Sequence, residues 1–153
     1  MKKEVRTHVK EVLAQMMVWC DRQDRSSFEV QQKLEGKELE REEMQWLLEQ
    51  LQEGDYQNDA RFADSFVSGH FRIKKWGKLK IRNGLQKKGI SGELANEVLN
   101  KIDPELYKEH LKSYLHSKGW REEAEVSFKN KQRLLRSCYQ RGYELEMVRD
   151  ILD

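Results

Sequence analysis

Cysteine and proline are almost missing from this chain: Cys20 and Cys138 are its two thiols and Pro104 its one proline. With no export signal beside them, two cysteines read as free cytosolic thiols. A single proline, in a chain that is 37% charged, points to a helix-rich protein with little loop. Long hydrophobic runs are missing too. None approaches the roughly 18 residues of a membrane span, so no membrane partner is expected. The start, Met1-Lys2-Lys3-Glu4, leads into an amphipathic pattern, which argues against a cleaved signal peptide. The cytoplasm is the expected location.

Catalytic constellations are also missing. His8, His70, His110 and His116 have no metal-like companions, and neither cysteine is near them in sequence, which excludes the familiar zinc spacings. Cys20 has no obvious activating base. The chain carries no phosphate-binding Walker loop, no dinucleotide fingerprint and no nucleophile elbow. Its many carboxylates fall on polar helix faces, where solvation is the default. The expectation is a protein that is not an enzyme and holds no metal or cofactor.

What the chain does have is an internal repeat. At an offset of 51, Phe28, Val30, Leu34 and Leu39 fall on Leu79, Ile81, Leu85 and Ile90. Met44, Leu47, Leu48 and Leu51 then fall on Ala95, Val98, Leu99 and Ile102 without a gap. At a further offset of 53, Leu85, Gly89 and Ile90 meet Cys138, Gly142 and Tyr143, and Ala95, Val98 and Leu99 meet Val148, Ile151 and Leu152. Cys138 thereby occupies an apolar slot and reads as a small buried hydrophobe. The i, i+3, i+4, i+7 spacing of the third segment in each unit is helical, and no strand pattern competes. The expected fold is all-α: an elongated array of three tandem three-helix repeats, over residues 1–55, 56–103 and 104–153. Ser26 with Glu29 forms a capping box, and Asp103 before Pro104 is an N-cap with proline at N1. Gly89 and Gly142 stand where second helices should stop. Glu38 holds that place in the first repeat, so a different turn is expected there. First helices carry the apolar stripes Val5, Val9, Val12, Leu13, Met16, Met17, then Phe62, Phe66, Val67, Phe71, then Tyr107, Leu111, Tyr114, Leu115.

The net charge of +2 conceals an asymmetry. Residues 21–55 carry five basic and eleven acidic groups, whereas residues 56–103 carry ten basic and five acidic, and residues 104–153 are near balance at ten and nine. From Gly69 to Gly92 there is no acidic residue, against eight basic ones: Arg72, Lys74, Lys75, Lys78, Lys80, Arg82, Lys87 and Lys88. A merely solvated helix face mixes signs at i, i+4, and this run cannot pair with itself. It calls for an external anion, or else rests against the acidic first repeat. These eight residues are the candidate contacts to a protein or nucleic-acid partner. Phe71 and Trp76 interleave them; base stacking is one use for such rings, and helix packing is the commoner one.

Three stretches carry a family resemblance. Gly54-Asp55-Tyr56-Gln57-Asn58-Asp59-Ala60-Arg61-Phe62-Ala63 resembles the signature of the RecX family, bacterial regulators of the RecA recombinase. Trp76-Gly77-Lys78-Leu79-Lys80-Ile81 followed by Leu85, Lys87, Lys88, Gly89 and Ile90 is similar to that family's middle repeat. Cys138-Tyr139-Gln140-Arg141-Gly142-Tyr143 is similar to the Arg-Gly-aromatic element of its last repeat. The likeness covers roughly residues 12–153. It departs from the pattern where Asp55 separates the glycine from the aromatic and where the first repeat lacks a Lys-Gly turn.

The resemblance implies tandem three-helix repeats and a regulator that binds the RecA filament on single-stranded DNA, in its helical groove. Such binding damps ATP hydrolysis, strand exchange and co-protease activity. The signature positions Tyr56, Asp59, Arg61, Phe62, Ala63, Trp76, Gly77, Gly89 and Gly142 read as structural. Phe62 is expected in the core, Asp59 near its own helix start as a cap, and Arg61 as a tie across the repeat join. The rival reading is an autonomous DNA binder, on single or double strands, that uses the basic middle repeat. No heptad seam is present, so a monomer is expected.

Overall fold

The computed structural model of the protein describes residues 4–153; Met1, Lys2 and Lys3, part of the start that speaks against a signal peptide, lie outside them. Among the described residues there are nine α-helices and no strand. In chain order they are α1 Thr7–Arg22, α2 Ser27–Leu34, α3 Arg41–Glu53, α4 Asp59–Ser68, α5 Lys78–Lys87, α6 Gly92–Asn100, α7 Pro104–Ser117, α8 Phe128–Arg141 and α9 Leu145–Leu152. A π-helical turn, Gly69–Ile73, continues α4. Three helices thus follow one another in each stretch where the sequence repeats. No helix among the described residues is long and apolar enough to cross a membrane.

Local chemistry explains most helix ends. Ser26 Oγ accepts the Glu29 backbone N–H at 3.1 Å, and the Glu29 carboxylate accepts the Ser26 N–H at 3.1 Å. Glu40 and Glu43 build the same reciprocal box at the start of α3, with a glutamate in place of the usual hydroxyl. Asp103 accepts from Glu105 N–H at 3.0 Å with Pro104 behind it, and Ser127 caps α8 through Asn130 N–H. The first repeat's turn does differ from the second. Helix α2, with 8 residues, stops two short of the 10-residue α5 that starts at the equivalent position, and Gly36 and Glu38 both take left-handed backbone at φ 81° and 60°. Glu38 therefore adopts the conformation that Gly89 adopts at φ 80°, without the glycine that makes it easy.

The chain folds as two compact units. The first comprises the chain up to Ser65 together with Lys88–Ile90. In it α1 and α2 pack on α3 around Val9, Val12, Met16, Cys20, Val30, Leu34, Leu47, Leu48 and Leu51. All but Cys20 are apolar positions of the sequence pattern, and each large side chain fully withdrawn from water contributes about 1.5–3 kcal/mol. Phe28, aligned with them by the repeat, stays 39% exposed; its Cβ packs where a side chain on Gly89 would have to go, 2.6 Å away.

The second unit comprises Phe66–Lys87 and Ser91–Asp153. In it α5 packs on α6, and α8 packs on α7 and α9. Its buried residues include Phe71, Ile81, Leu85, Val98, Leu99, Tyr107, Leu111, Leu115, Leu134, Cys138, Tyr143 and Val148. Both cysteines are free and buried; the sequence places Cys138 in an apolar slot and leaves the burial of Cys20 open. Burial pushes the Cys138 thiol up to about 11 and raises that of Cys20, so neither is poised as a nucleophile.

Candidate interaction surface

The signature stretch lies in the first unit and is a hydrogen-bonded knot. Phe62 and Ala63 are buried, and Tyr56 packs on the core. Arg61 donates to the Asp24 carboxylate at 2.9 Å, to the Asp55 carboxylate at 2.9 Å and to the Asp55 carbonyl at 3.0 Å. It ties the turn after α1 to the turn before α4, and these carboxylate partners raise its pKa further. Asp59 corrects the sequence reading. Asn58, not Asp59, caps α4 by accepting the Arg61 N–H at 2.9 Å. Asp59 instead reaches across to the start of α2 and accepts from Ser27 N–H and Ser27 Oγ, both at 2.8 Å. Gln57, which no sequence signal singled out, is 2% exposed and centres the knot. Its amide donates to the Arg25 carbonyl at 3.1 Å and to Asp59 at 3.0 Å, and its oxygen accepts from Gln52.

Gly77 and Gly142 organise the second unit. A Cβ on Gly77 would stand 2.2 Å from the Gly142 carbonyl carbon, and one on Gly142 would stand 2.4 Å from Lys80 Cβ. Gly142 also carries φ 103° as the left-handed stop of α8. This close approach lets two backbone bonds form, Gly77 N–H to the Arg141 carbonyl and Leu79 N–H to the Gly142 carbonyl, each at 2.9 Å. The Tyr107 hydroxyl accepts the Lys78 N–H at 2.9 Å and donates to Glu144 at 2.5 Å. Burial first, and this bond second, drive the Tyr107 pKa up. The N–H groups of Gly77, Lys78 and Leu79 at the start of α5 are thus consumed by the end of α8 and by Tyr107. The positive end of one helix dipole meets the negative end of another, so no phosphate site is left at the α5 start.

The basic run is divided by this packing. Lys74 and Lys80 hold their ammonium groups 5.2 and 4.4 Å from the centroid of the partly buried Trp76 ring, which also lies against His70. Lys78 sits over Tyr107 at 5.0 Å, Arg82 donates to Asn96 at 2.7 Å, and Lys88 pairs with Glu29 at 3.2 Å within the first unit. Arg72, Lys74, Lys75 and Lys87 are exposed. The run is therefore not one patch. Its open part is the turn from Arg72 to Lys75 and, at the end of α5, Lys87.

That turn is rigidly held. Arg141 donates to the carbonyls of Lys74 at 2.6 Å and Lys75 at 3.4 Å, and the Tyr143 hydroxyl donates to the Lys75 carbonyl at 3.0 Å. Lys75 takes left-handed backbone at φ 55°, and Trp76 N–H closes the turn on the His70 carbonyl at 3.0 Å. Ile73 projects from the same turn with 82% of its surface open. Arg141 and Tyr143, known from the sequence only as a motif, are what fix the turn.

Comparison with known proteins gives a consistent answer. A family model described as the second three-helix domain of RecX matches residues 58–99. The chain is 28% identical over 138 residues to the regulatory protein RecX of Lactobacillus johnsonii, covering 90% of this chain and 51% of that protein. It is 30% identical over 135 residues to that of Clostridium acetobutylicum, covering 81% and 59%. It thus spans little more than half the length of these two curated relatives. Against the regulatory protein RecX of Haemophilus influenzae it is 26% identical over 132 residues, covering 86% of each. The crystal structure of RecX from Lactobacillus salivarius superposes with a TM-score of 0.83 at 21% identity, over 95% of this chain and 94% of that one. With the same fold along almost its whole length and relatives that are named regulatory proteins, the chain is similar to RecX proteins over most of its residues and carries the second three-helix domain of RecX at residues 58–99.

Proposed function

We propose that this protein regulates RecA by binding the recombinase filament on single-stranded DNA, in its helical groove, and slowing its ATPase, strand-exchange and co-protease activities. In this reading residues 1–55, 56–103 and 104–153 act as three successive repeats of a monomer, and the middle one meets acidic surface of the filament. The observation that carries the reading is the acid-free turn at Arg72, Lys74 and Lys75. Its backbone is fixed by Arg141 and Tyr143, and its charges are open to a partner. A preorganised turn loses little conformational entropy on binding, and exposed charge of one sign steers a partner of the other. Occupation of the groove bridges subunits and holds the filament in a state less able to turn over.

The test is the single-stranded-DNA-dependent ATPase of RecA from the same source, with this protein titrated in. Inhibition well below one protein per RecA subunit is expected. The double variant Lys74→Glu/Lys75→Glu should lose most of it while its circular dichroism stays unchanged. Lys78 and Lys80 are left intact because both are half-buried against aromatic rings, whereas Lys74 and Lys75 are exposed. Full inhibition by the double variant refutes the assignment of the turn, and no inhibition by the wild type refutes the function.

A further inference from the structure

The near balance of charge in residues 104–153 hides a second basic surface. Between Glu125 and Glu144 there is no acidic residue, and Lys129, Lys131, Arg133, Arg136 and Arg141 all lie on α8. The nine carboxylates of this region fall before or after that helix. Lys131 pairs with Asp153, and Arg141 is spent on the Lys74 and Lys75 carbonyls. The other three, Lys129, Arg133 and Arg136, stand at i, i+4 and i+7 and are exposed. Gln140 continues the line at i+11, also exposed. Arg133 uses one N–H on the Lys118 carbonyl at 3.1 Å, which brings the exposed Lys118 beside the stripe.

Aromatic rings flank this stripe. Phe128 is 78% and Tyr139 58% exposed, and with the exposed Gln132 they occupy i, i+11 and i+4 of the neighbouring helix edge. At 1.5 Å per residue the two rings are separated by about 16 Å along α8. The exposed Gln132 lies between the two rings on this edge. A protein interface would be expected to join its aromatics into a dry core. Isolated rings beside a line of cations suit another partner, one that carries phosphates along its length and offers flat faces one at a time.

We infer that the outer face of α8 binds single-stranded nucleic acid, with Lys129, Arg133 and Arg136 on phosphates and Phe128 and Tyr139 stacked on unpaired bases. The single strand is preferred over a duplex because paired bases keep their faces inside the stack, where Phe128 and Tyr139 cannot reach them. The inference stands independently of RecA, because it needs the α8 surface alone.

The probe is a fluorescently labelled oligothymidylate of fifteen or so nucleotides, with a duplex of the same length beside it, followed by anisotropy across a salt series. The wild type should bind the single strand more tightly than the duplex. Lys129→Glu/Arg136→Glu should weaken it at least tenfold and flatten the log–log salt slope by about 0.7 for each phosphate no longer neutralised. Phe128→Ala and Tyr139→Ala should each weaken single-strand binding several-fold and leave the salt slope unchanged. All four side chains are exposed, so melting temperatures should stay near that of the wild type. Absence of binding by the wild type overturns the inference. So does binding that survives the α8 changes and disappears in Lys74→Glu/Lys75→Glu, or equal duplex binding indifferent to the two rings.

Discussion

Replacing Gly77 by alanine probes the packing of the second unit most sharply. The new methyl would stand 2.2 Å from the Gly142 carbonyl carbon, 2.3 Å from its oxygen and 2.3 Å from Tyr143 N. All three are backbone atoms, so no side-chain rotation relieves the clash, and α5 and the end of α8 must separate. Separation breaks the bonds from Gly77 N–H to Arg141 O and from Leu79 N–H to Gly142 O. Two backbone bonds at about 1 kcal/mol each and overpacking of about 1–3 kcal/mol give roughly 3–5 kcal/mol. Alanine's smaller unfolded-state entropy returns about 0.4–1 kcal/mol, leaving a net loss of roughly 2–4 kcal/mol. For a chain of this size that is a fall in Tm of roughly 5–15 °C. The assay is urea and thermal unfolding by far-ultraviolet circular dichroism, with the fluorescence of neighbouring Trp76 as a local probe. Gly69→Ala is the control, because a Cβ there meets nothing within 4 Å and its backbone is not left-handed. It should be neutral or stabilising by about 0.5 kcal/mol. A Gly77→Ala protein within about 0.5 kcal/mol of wild type, or a Gly69→Ala protein equally damaged, refutes the reasoning.

Three further outcomes follow from the same geometry, and a fourth from the buried thiols. Asp59→Ala removes the acceptor for Ser27 N–H and Oγ at the start of α2, and denaturant unfolding should register a loss of about 1–2 kcal/mol. Arg61→Ala should cost about 1 kcal/mol, discounted because its partner Asp55 is 76% exposed, and the loss should shrink in high salt. His110 is held neutral by burial and by Lys75, so its folded pKa lies below the ordinary value while Glu109 pulls weakly the other way. The unfolded chain then binds the proton more readily. Stability is therefore full above about pH 6.5 and falls as pH drops through the folded value; melting curves from pH 7.5 to 5 should shift down, and less so for His110→Leu. Cys20 and Cys138 are 5% and 0% exposed with raised pKa values, so a thiol reagent should label neither at neutral pH until denaturant is added, when both should react.

Those local effects rest on interactions of different range, and range decides what the sequence discloses. The helices, the Ser26–Glu29 box and the Asp103–Pro104 start depend on residues within one or two turns, so periodicity and capping chemistry suffice to read them. The repeat offsets mark the buried positions, from Leu34 and Leu85 to Cys138, because each apolar slot recurs on the same helix face. Glu38 shows the limit of that logic: its left-handed backbone is imposed by the turn it sits in, whatever its own preference. Asp59 reads from the sequence as a cap of its own helix, yet it caps another, because its partner Ser27 lies 32 residues away. The eight cations from Arg72 to Lys88 read as one run, yet packing sends Lys78 to Tyr107, Arg82 to Asn96 and Lys88 to Glu29, and leaves Arg72, Lys74 and Lys75 open on a turn fixed by Arg141. The acid-free face of α8 is hidden for the opposite reason, since charge summed over fifty residues mixes it with the carboxylates of its neighbours. By itself, then, the sequence determined the helices, their repeat and their buried faces, which are local and periodic. Which charges meet solvent, and which glycines touch across 65 residues of chain, was decided by the tertiary structure, because exposure and close approach exist only once distant segments are packed.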